Sequence, residues 1–271
     1  MIKRRRGIQK CCGAAENGGK MELASKLRRL DRSALKIIAL IVMTVGHFFI
    51  YTLPEIRCFG VSKPWSWMMC YVAYMAPPIF FFFIAEGFRY THSRKAYAVR
   101  LLIFAVLTQL AGSWFPDAGL DRTHLFDPLN VFFTLLFGFL DLWILTSGIK
   151  APLKLLAVGG LLAVGYLLHF EWEITGQLFI IAYYYCKDKP LLNFGIAAAL
   201  ALFDLAVMNG SSLFYPKVQL IIAFLLLGAA AVLFCYNGKK GRDSRFLKYF
   251  FYAFYPLHLL LINIVKAACR S

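Results

Sequence analysis

Long apolar runs alternate along this chain with short polar stretches. Nine runs stand out, over about 35–53, 66–88, 97–115, 129–148, 151–168, 173–187, 190–208, 217–236 and 248–267. A helix needs about 20 apolar residues to cross a bilayer, and most of these runs qualify. The sixth is short, which fits a tilted or partly re-entrant segment. The expected fold is therefore all-α: a polytopic membrane bundle of about nine transmembrane helices over 34–271. Residues 1–33 break the pattern, with Lys3-Arg4-Arg5-Arg6 and a Gly-containing polar stretch. They read as a disordered, basic cytoplasmic tail. No short apolar core with a small-residue cleavage site follows the basic stretch promptly, so no cleavable signal peptide is expected. No transporter-like internal repeat is visible.

The polar stretches sort by charge. With the tail inside, the inner loops hold Arg89, Arg94, Lys95 and Arg100; Lys150 and Lys154; Lys187 and Lys189; and Lys239, Lys240, Arg242, Arg245 and Lys248. The outer loops hold Asp117, Asp121 and Asp127, then Glu171 and Glu173, then the Asn209–Ser212 turn. Arg57 and Lys63 in the first outer loop are a mild exception. Basic loops face the cytoplasm in multi-pass proteins. The alternation predicts a plasma (inner) membrane protein with its amino terminus cytoplasmic and its carboxyl terminus outside.

Composition agrees. The 271 residues are 60% hydrophobic and 17% aromatic, well above the roughly 45–50% apolar content of soluble domains. The formal charge of +16 follows from the inner loops. No soluble segment is long enough for a nucleic-acid-binding domain. Membrane lipid, not nucleic acid, is the expected partner. The seven cysteines have neither metal nor redox spacing and form no disulfide framework. No metal site is predicted. Walker, His-x-x-x-His, Gly-x-Ser-x-Gly and dinucleotide patterns are absent from the sequence.

Four stretches carry more than a lipid-facing helix needs. In the first helix Lys36 precedes His47 by ten intervening residues, about 16 Å along the axis. An imidazole at that depth is either a general acid or base or a packing residue satisfied by a neighbouring helix. The second stretch runs from Pro77-Pro78, which should kink or unwind the helix, to Glu86-Gly87 and the cations Arg89, Arg94 and Lys95. Such cations grip phosphate, or signal topology and meet lipid headgroups. In the third, Asn130, Thr134 and Gly138 share a face suited to close helix packing, and deeper Asp141 needs a partner. In the fourth, Tyr255-Pro256-Leu257-His258, His258 lies ten residues after Lys248 and so nearly at the depth of His47. The two histidines either line one site or are unrelated.

These stretches resemble the TraX family, named for the protein that acetylates the amino terminus of conjugative pilin. The resemblance is carried by Ala34 through His47, Pro78 through Thr91 with Ser93-Arg94-Lys95-Ala96-Tyr97, Asn130-Val131 through Gly138, and Tyr255-Pro256-Leu257-His258. It runs in order from about Asp31 to the end. Two positions depart from the family pattern. Gly46 stands where an aspartate usually precedes the histidine. Glu173 replaces the first glycine of an Asp-Tyr-Gly-x-x-Gly-like stretch, here Glu171 to Gly176. The family is in turn similar to the membrane acyltransferases that modify polysaccharides, whose Arg-x10-His pattern Lys36 and His47 echo.

The resemblance implies an acyl-CoA-dependent acyltransferase. Acetyl-CoA or another acyl-CoA would be the donor, met from the cytoplasm. The acceptor would be a hydroxyl or amine near the outer face, on a pilin, glycan, lipid or small molecule. His47 would be the catalytic base. Lys36, Arg89, Arg94 and Lys95 would hold the CoA phosphates. Glu86 would orient a cation or the donor, and Asn130 would donate to the oxyanion. Glu171 and Asp141 join His258 as further candidates. The alternative is a non-catalytic permease or assembly factor, with the histidines coupling protons or packing.

Overall fold

The computed structural model describes residues 28–56, 63–115, 119–120, 128–241 and 245–268. The expected tail over 1–27 and the loop acids Asp117, Asp121 and Asp127 lie outside the described residues. Ten α-helices follow in order: α1 Arg32–Ile56, α2 Lys63–Tyr71, α3 Ala76–Tyr90, α4 Arg94–Ser113, α5 Val131–Leu145, α6 Ala151–Leu167, α7 Glu173–Tyr185, α8 Pro190–Phe203, α9 Pro216–Ala230 and α10 Arg245–Ala268. A 3-10 turn, Val72–Met75, joins α2 to α3 in one column. Single π-turns, Asp204–Met208 and Ala231–Cys235, extend α8 and α9. The described helices thus form nine columns, one for each apolar run. Among the described residues a two-residue strand pairing joins Trp114–Phe115 to Gly119–Leu120, and isolated bridges link Leu30 to Tyr236 and Leu129 to Phe170.

Six of these columns are long and apolar enough to cross a membrane: Arg32–Thr52, Met68–Tyr90, Arg94–Ser113, Pro190–Met208, Pro216–Cys235 and Tyr249–Ala267. Helices α5 and α6 are apolar but shorter. Helix α7 is shorter still, about 20 Å for its 13 residues. Its length answers to protein rather than lipid, because Thr175, Gly176, Gln177, Phe179, Ile180 and Tyr183 are all buried against neighbouring helices.

Local chemistry sets the helix ends. Asp31 caps α1, its Oδ1 accepting from the Ala34 N–H at 2.8 Å. Proline in the first turn starts α6, α8 and α9, where its missing N–H costs no helical bond. Pro77 and Pro78 act as expected from their chemistry. They cannot donate to the carbonyls a turn earlier, and the helix tightens to 3-10 just before them.

Helix α3 is the central column. Eight of its residues are buried, among them Ile79, Phe81, Ile84 and Phe88. They pack with Phe139 of α5 and Phe179 and Ile180 of α7 in one apolar cluster. The face predicted at Thr134 and Gly138 is a close-packed one. A Cβ at Gly138 would lie 2.4 Å from the Ile180 side chain. The outer columns turn large apolar side chains outward: Leu155 and Leu156 on α6 are 69% and 74% exposed, and Leu191 on α8 is 78% exposed. A hydrocarbon solvent accepts such a surface, whereas water does not.

The chain entering α1 is docked at Leu30 and Arg32. Leu30 donates to the Cys235 carbonyl at 3.0 Å and accepts from Asn237 at 2.9 Å. Arg32 N–H donates to the Lys239 carbonyl at 3.0 Å. The start of α1, the end of α3, the start of α4 and the exit of α9 thereby share one basic end of the bundle. At the opposite end Leu129 donates to His169 at 3.1 Å and accepts from Glu171 at 2.7 Å, tying the α5 entrance to the α6–α7 turn.

Candidate active site

One face of α1 organises the site. Arg32, Lys36, Leu40, Met43, His47 and Ile50 recur at three- and four-residue steps, so they form a single stripe. The first three line a cavity of about 280 Å³ at the basic end. The last three line a second cavity, about 540 Å³, toward the other end. Phe80, Val131 and Tyr255 line both cavities. The two spaces are neighbours that share those three side chains as a common wall, and α1 runs beside both.

The cavity at the basic end is cationic with aromatic walls. Arg32, Lys36, Arg100 and Lys240 face it, with Glu86 as its acid. Glu86 binds Arg32 at 2.9 Å and accepts from the Tyr236 hydroxyl at 2.7 Å. Lys36 lies over the rings of Phe83 and Phe251, at 5.4 and 5.2 Å. Arg100 stacks on Tyr97 at 5.4 Å. The Nε–H groups of Arg32 and Arg100 are buried and make no hydrogen bond to the described residues. Gly87 leaves room for Tyr97, whose hydroxyl would sit 2.6 Å from a Cβ there.

Toward the opposite end His47 and His258 form a pair. His47 Nδ1 and His258 Nε2 are 2.9 Å apart. The rings are nearly parallel, 12° apart, with centroids 5.2 Å apart. With the nitrogens in contact, that spacing puts the rings edge to edge. His258 Nδ1 donates to the Phe254 carbonyl at 3.1 Å. The rings of Tyr51 and Tyr255 stand edge-on to His47 at 5.9 and 6.0 Å.

Glu171 closes the group. Its carboxylate accepts from the Val131 N–H at 3.1 Å, and the Tyr255 hydroxyl interacts with it. Thr134 donates to its carbonyl. Burial pushes the Glu171 carboxyl above the ordinary glutamate range, and the two donors oppose that shift. A raised folded-state value favours the protonated form of the native protein. Stability from this group is therefore present below the ordinary glutamate value and declines as pH rises toward the raised one. Thermal denaturation in detergent across that window is expected to show the decline in the parent and not in Glu171→Gln, which keeps the acceptor without the charge. Identical slopes would show that Glu171 ionises as freely folded as unfolded. The turn around it is strained: His169, Trp172 and Glu173 have φ of 48°, 70° and 27°. Glu173 thus occupies a backbone conformation that glycine adopts easily, as the usual family residue would.

The remaining candidates fall elsewhere. Arg89 lines a third cavity with Arg28, Lys187 and Tyr236; its guanidinium donates to the Tyr184 carbonyl and stacks on that ring. Arg94 lies over Phe88 at 4.4 Å, and Lys95 is exposed. None of the three lines either of the first two cavities. Asn130 caps α5. Its Oδ1 accepts from Phe132 N–H at 3.0 Å, and its Nδ2 donates to Ala105 at 2.8 Å and Gln109 at 2.7 Å. Both amide hydrogens are engaged there, so an oxyanion role does not fit this geometry. Asp141 is buried in α5 away from both cavities, and neither carboxylate oxygen has a hydrogen-bond partner among the described residues. Sequence reasoning missed Arg32, Arg100, Lys240 and Tyr255 as site residues. The four-residue step from Arg32 to Lys36 was the available signal for the first. Among the described residues no group of three or more His, Cys, Asp or Glu could hold a metal.

The family described as TraX protein matches residues 31–266. The chain belongs to the TraX family. The match begins at the cap of α1 and runs through His258, so it takes in both cavities of this TraX chain. A relative, the probable fimbrial assembly protein FimC, serogroup H1, of Dichelobacter nodosus, is 31% identical over 252 residues, covering 88% of this chain and 98% of that protein. No solved structure matches. In this TraX chain the position before His47 has no room for the usual aspartate: a Cβ on Gly46 would lie 2.3 Å from the Ala73 Cβ and 2.9 Å from its backbone nitrogen.

Proposed function

We propose that this protein is an integral membrane acyltransferase that takes an acyl group from cytoplasmic acyl-CoA and delivers it to a hydroxyl or amine entering from the outer face. The observation that carries the reading is the α1 stripe, which runs from a cationic, aromatic-walled cavity to a histidine on a neighbouring cavity, the two sharing Phe80, Val131 and Tyr255 as lining. The nine columns are read as crossings, with the basic end cytoplasmic by the positive-inside rule. Arg32, Lys36, Arg100 and Lys240 are placed to meet the donor's phosphates. The aromatic walls suit its pantetheine arm. Lys36 and His47 are about 16 Å apart along α1, the same order as that arm extended. A donor anchored at the basic end would bring its thioester to Phe80, Val131 and Tyr255, beside His47.

The chemistry then needs one base. His47 accepts the proton of the acceptor's O–H or N–H as the heteroatom attacks the thioester carbonyl. A C–O or C–N bond forms, the C–S bond breaks, and the proton passes to the departing thiolate. Tyr255 lines both cavities, with Glu171 beside its hydroxyl. Glu86 holds Arg32 rather than acting on the reacting atoms. The FimC relative is named for fimbrial assembly. That name favours a fimbrial subunit among the acceptor classes.

A permease would also use cavities along one helix, and the two readings separate by donor binding and solute flux. Titrating the full chain in detergent with acetyl-CoA is expected to give saturable binding that weakens as salt rises, because the contacts are ionic. Absence of acetyl-CoA binding at low salt, together with pH-coupled solute flux in proteoliposomes, would favour the permease.

A further inference from the structure

We infer that His258 is a positioning residue that fixes the tautomer of His47, so that the lone pair of His47 Nε2, and not of Nδ1, receives the acceptor's proton. The inference rests on the acyltransferase reading above and adds to it which nitrogen acts and what makes it act.

The assignment follows from hydrogen-bond roles. The Phe254 carbonyl can only accept, so the nitrogen 3.1 Å from it, His258 Nδ1, carries a hydrogen. In a neutral ring the other nitrogen, Nε2, then holds a lone pair. That Nε2 is 2.9 Å from His47 Nδ1, and the contact needs one hydrogen. His47 Nδ1 must supply it. The remaining nitrogen of His47, Nε2, is left as an acceptor in a ring that lines the second cavity. The reverse arrangement requires His258 to be a cation. His258 is 3% exposed, packed against the rings of Phe254 and Tyr255, and among the described residues no carboxylate is recorded in contact with it. The acid of this region, Glu171, interacts with Tyr255 and Val131. Across from the pair stand Tyr51 and Tyr255, which are neutral at ordinary pH. A buried, unpaired imidazolium at His258 is costly.

The arrangement does without the carboxylate that the family usually carries before this histidine. Gly46 has no space for one, and α10 supplies the orienting group from across the bundle. When His47 Nε2 takes the acceptor's proton, His47 becomes the imidazolium and its Nδ1–H stays bonded to the neutral His258 Nε2. When the proton passes on to the thiolate, both rings return to their starting tautomers. No oxidant or further reactant enters. Because His258 is neutral, it orients the base without holding the proton as strongly as a carboxylate would.

Three measurements on the full chain test this. In 15N-histidine NMR of the parent in detergent at neutral pH, assigned with His47→Gln, His47 is expected to be protonated at Nδ1. Protonation at Nε2 would overturn the inference whatever the variants do. His258→Leu is expected to lower kcat for acyl transfer by on the order of 10²-fold with donor KM unchanged, while His258→Gln, which can present a carbonyl oxygen to His47 Nδ1, recovers part of the loss. Parental kcat in His258→Leu would also overturn it. His47→Ala separates the two levels. If that variant is inactive and His258→Leu is fully active, the base reading stands and the positioning role falls. If His47→Ala is itself active, the acyltransferase reading of this histidine fails first.

Discussion

His47→Ala abolishes acyl transfer and leaves acyl-CoA binding nearly intact: that is the largest effect expected from the geometry. Loss of a general base typically costs on the order of 10²–10⁴ in rate. Donor binding should survive because the cations that meet the donor begin about 16 Å away along the same helix. His47→Gln keeps a hydrogen-bonding side chain without a basic nitrogen and is expected to be nearly as inactive. The fold should tolerate either change, since His47 borders a cavity of about 540 Å³ rather than a filled core. Transfer at the parental rate by His47→Ala, with the protein folded, would make this a packing histidine.

The second large effect lies at the basic end of α1. Lys36→Ala with Arg100→Ala is expected to weaken acyl-CoA binding by on the order of 10²-fold or more, because each removes a charge-assisted contact worth about 1.5–3 kcal/mol. The loss should shrink as salt rises, since the removed attractions are screened. Arg94→Ala with Lys95→Ala makes the matched control. Those two cations carry the same charge but stand on Phe88 and at the surface, not on the cavity. Their double variant should bind donor within about two-fold of the parent, as surface charges away from such sites usually change little. Equal losses in the two double variants would show that the whole basic end, and not this cavity, attracts the donor.

Much of the fold was legible because a membrane helix is read from length and hydrophobicity, and both are local properties. Each apolar run became a column, and Pro77-Pro78 produced the turn their missing donors require. The pairing of His47 with His258 was half legible. Equal depth on two helices running the same way follows from counting residues, but contact depends on how α1 and α10 face each other. The cations were harder. Arg89, Arg94, Lys95 and Arg100 lie within 12 positions of one another, and only the rotation of α4 decides that Arg100 enters the cavity while Lys95 faces outward. Asn130 illustrates the opposite error. An amide at a helix start is a good cap before it is anything else, and its engaged hydrogens confirm that use. Glu171 and Tyr255 are 84 positions apart; their interaction depends on the α6–α7 turn folding over the end of α5, which no local pattern encodes.

Sided transfer tests the central claim most directly. Inside-out membrane vesicles from cells expressing the parent or His47→Ala would be given acetyl-CoA radiolabelled in the acetyl group, on the face that was cytoplasmic. The fraction of label that leaves CoA for vesicle protein, glycan or lipid would then be counted. Transfer along the two cavities predicts label accumulating in an acceptor fraction with the parent, at least 10²-fold less with His47→Ala, and none beyond background when the same donor is sealed on the opposite face. Equal labelling in parent and variant vesicles, or labelling indifferent to the face that meets acetyl-CoA, would contradict it.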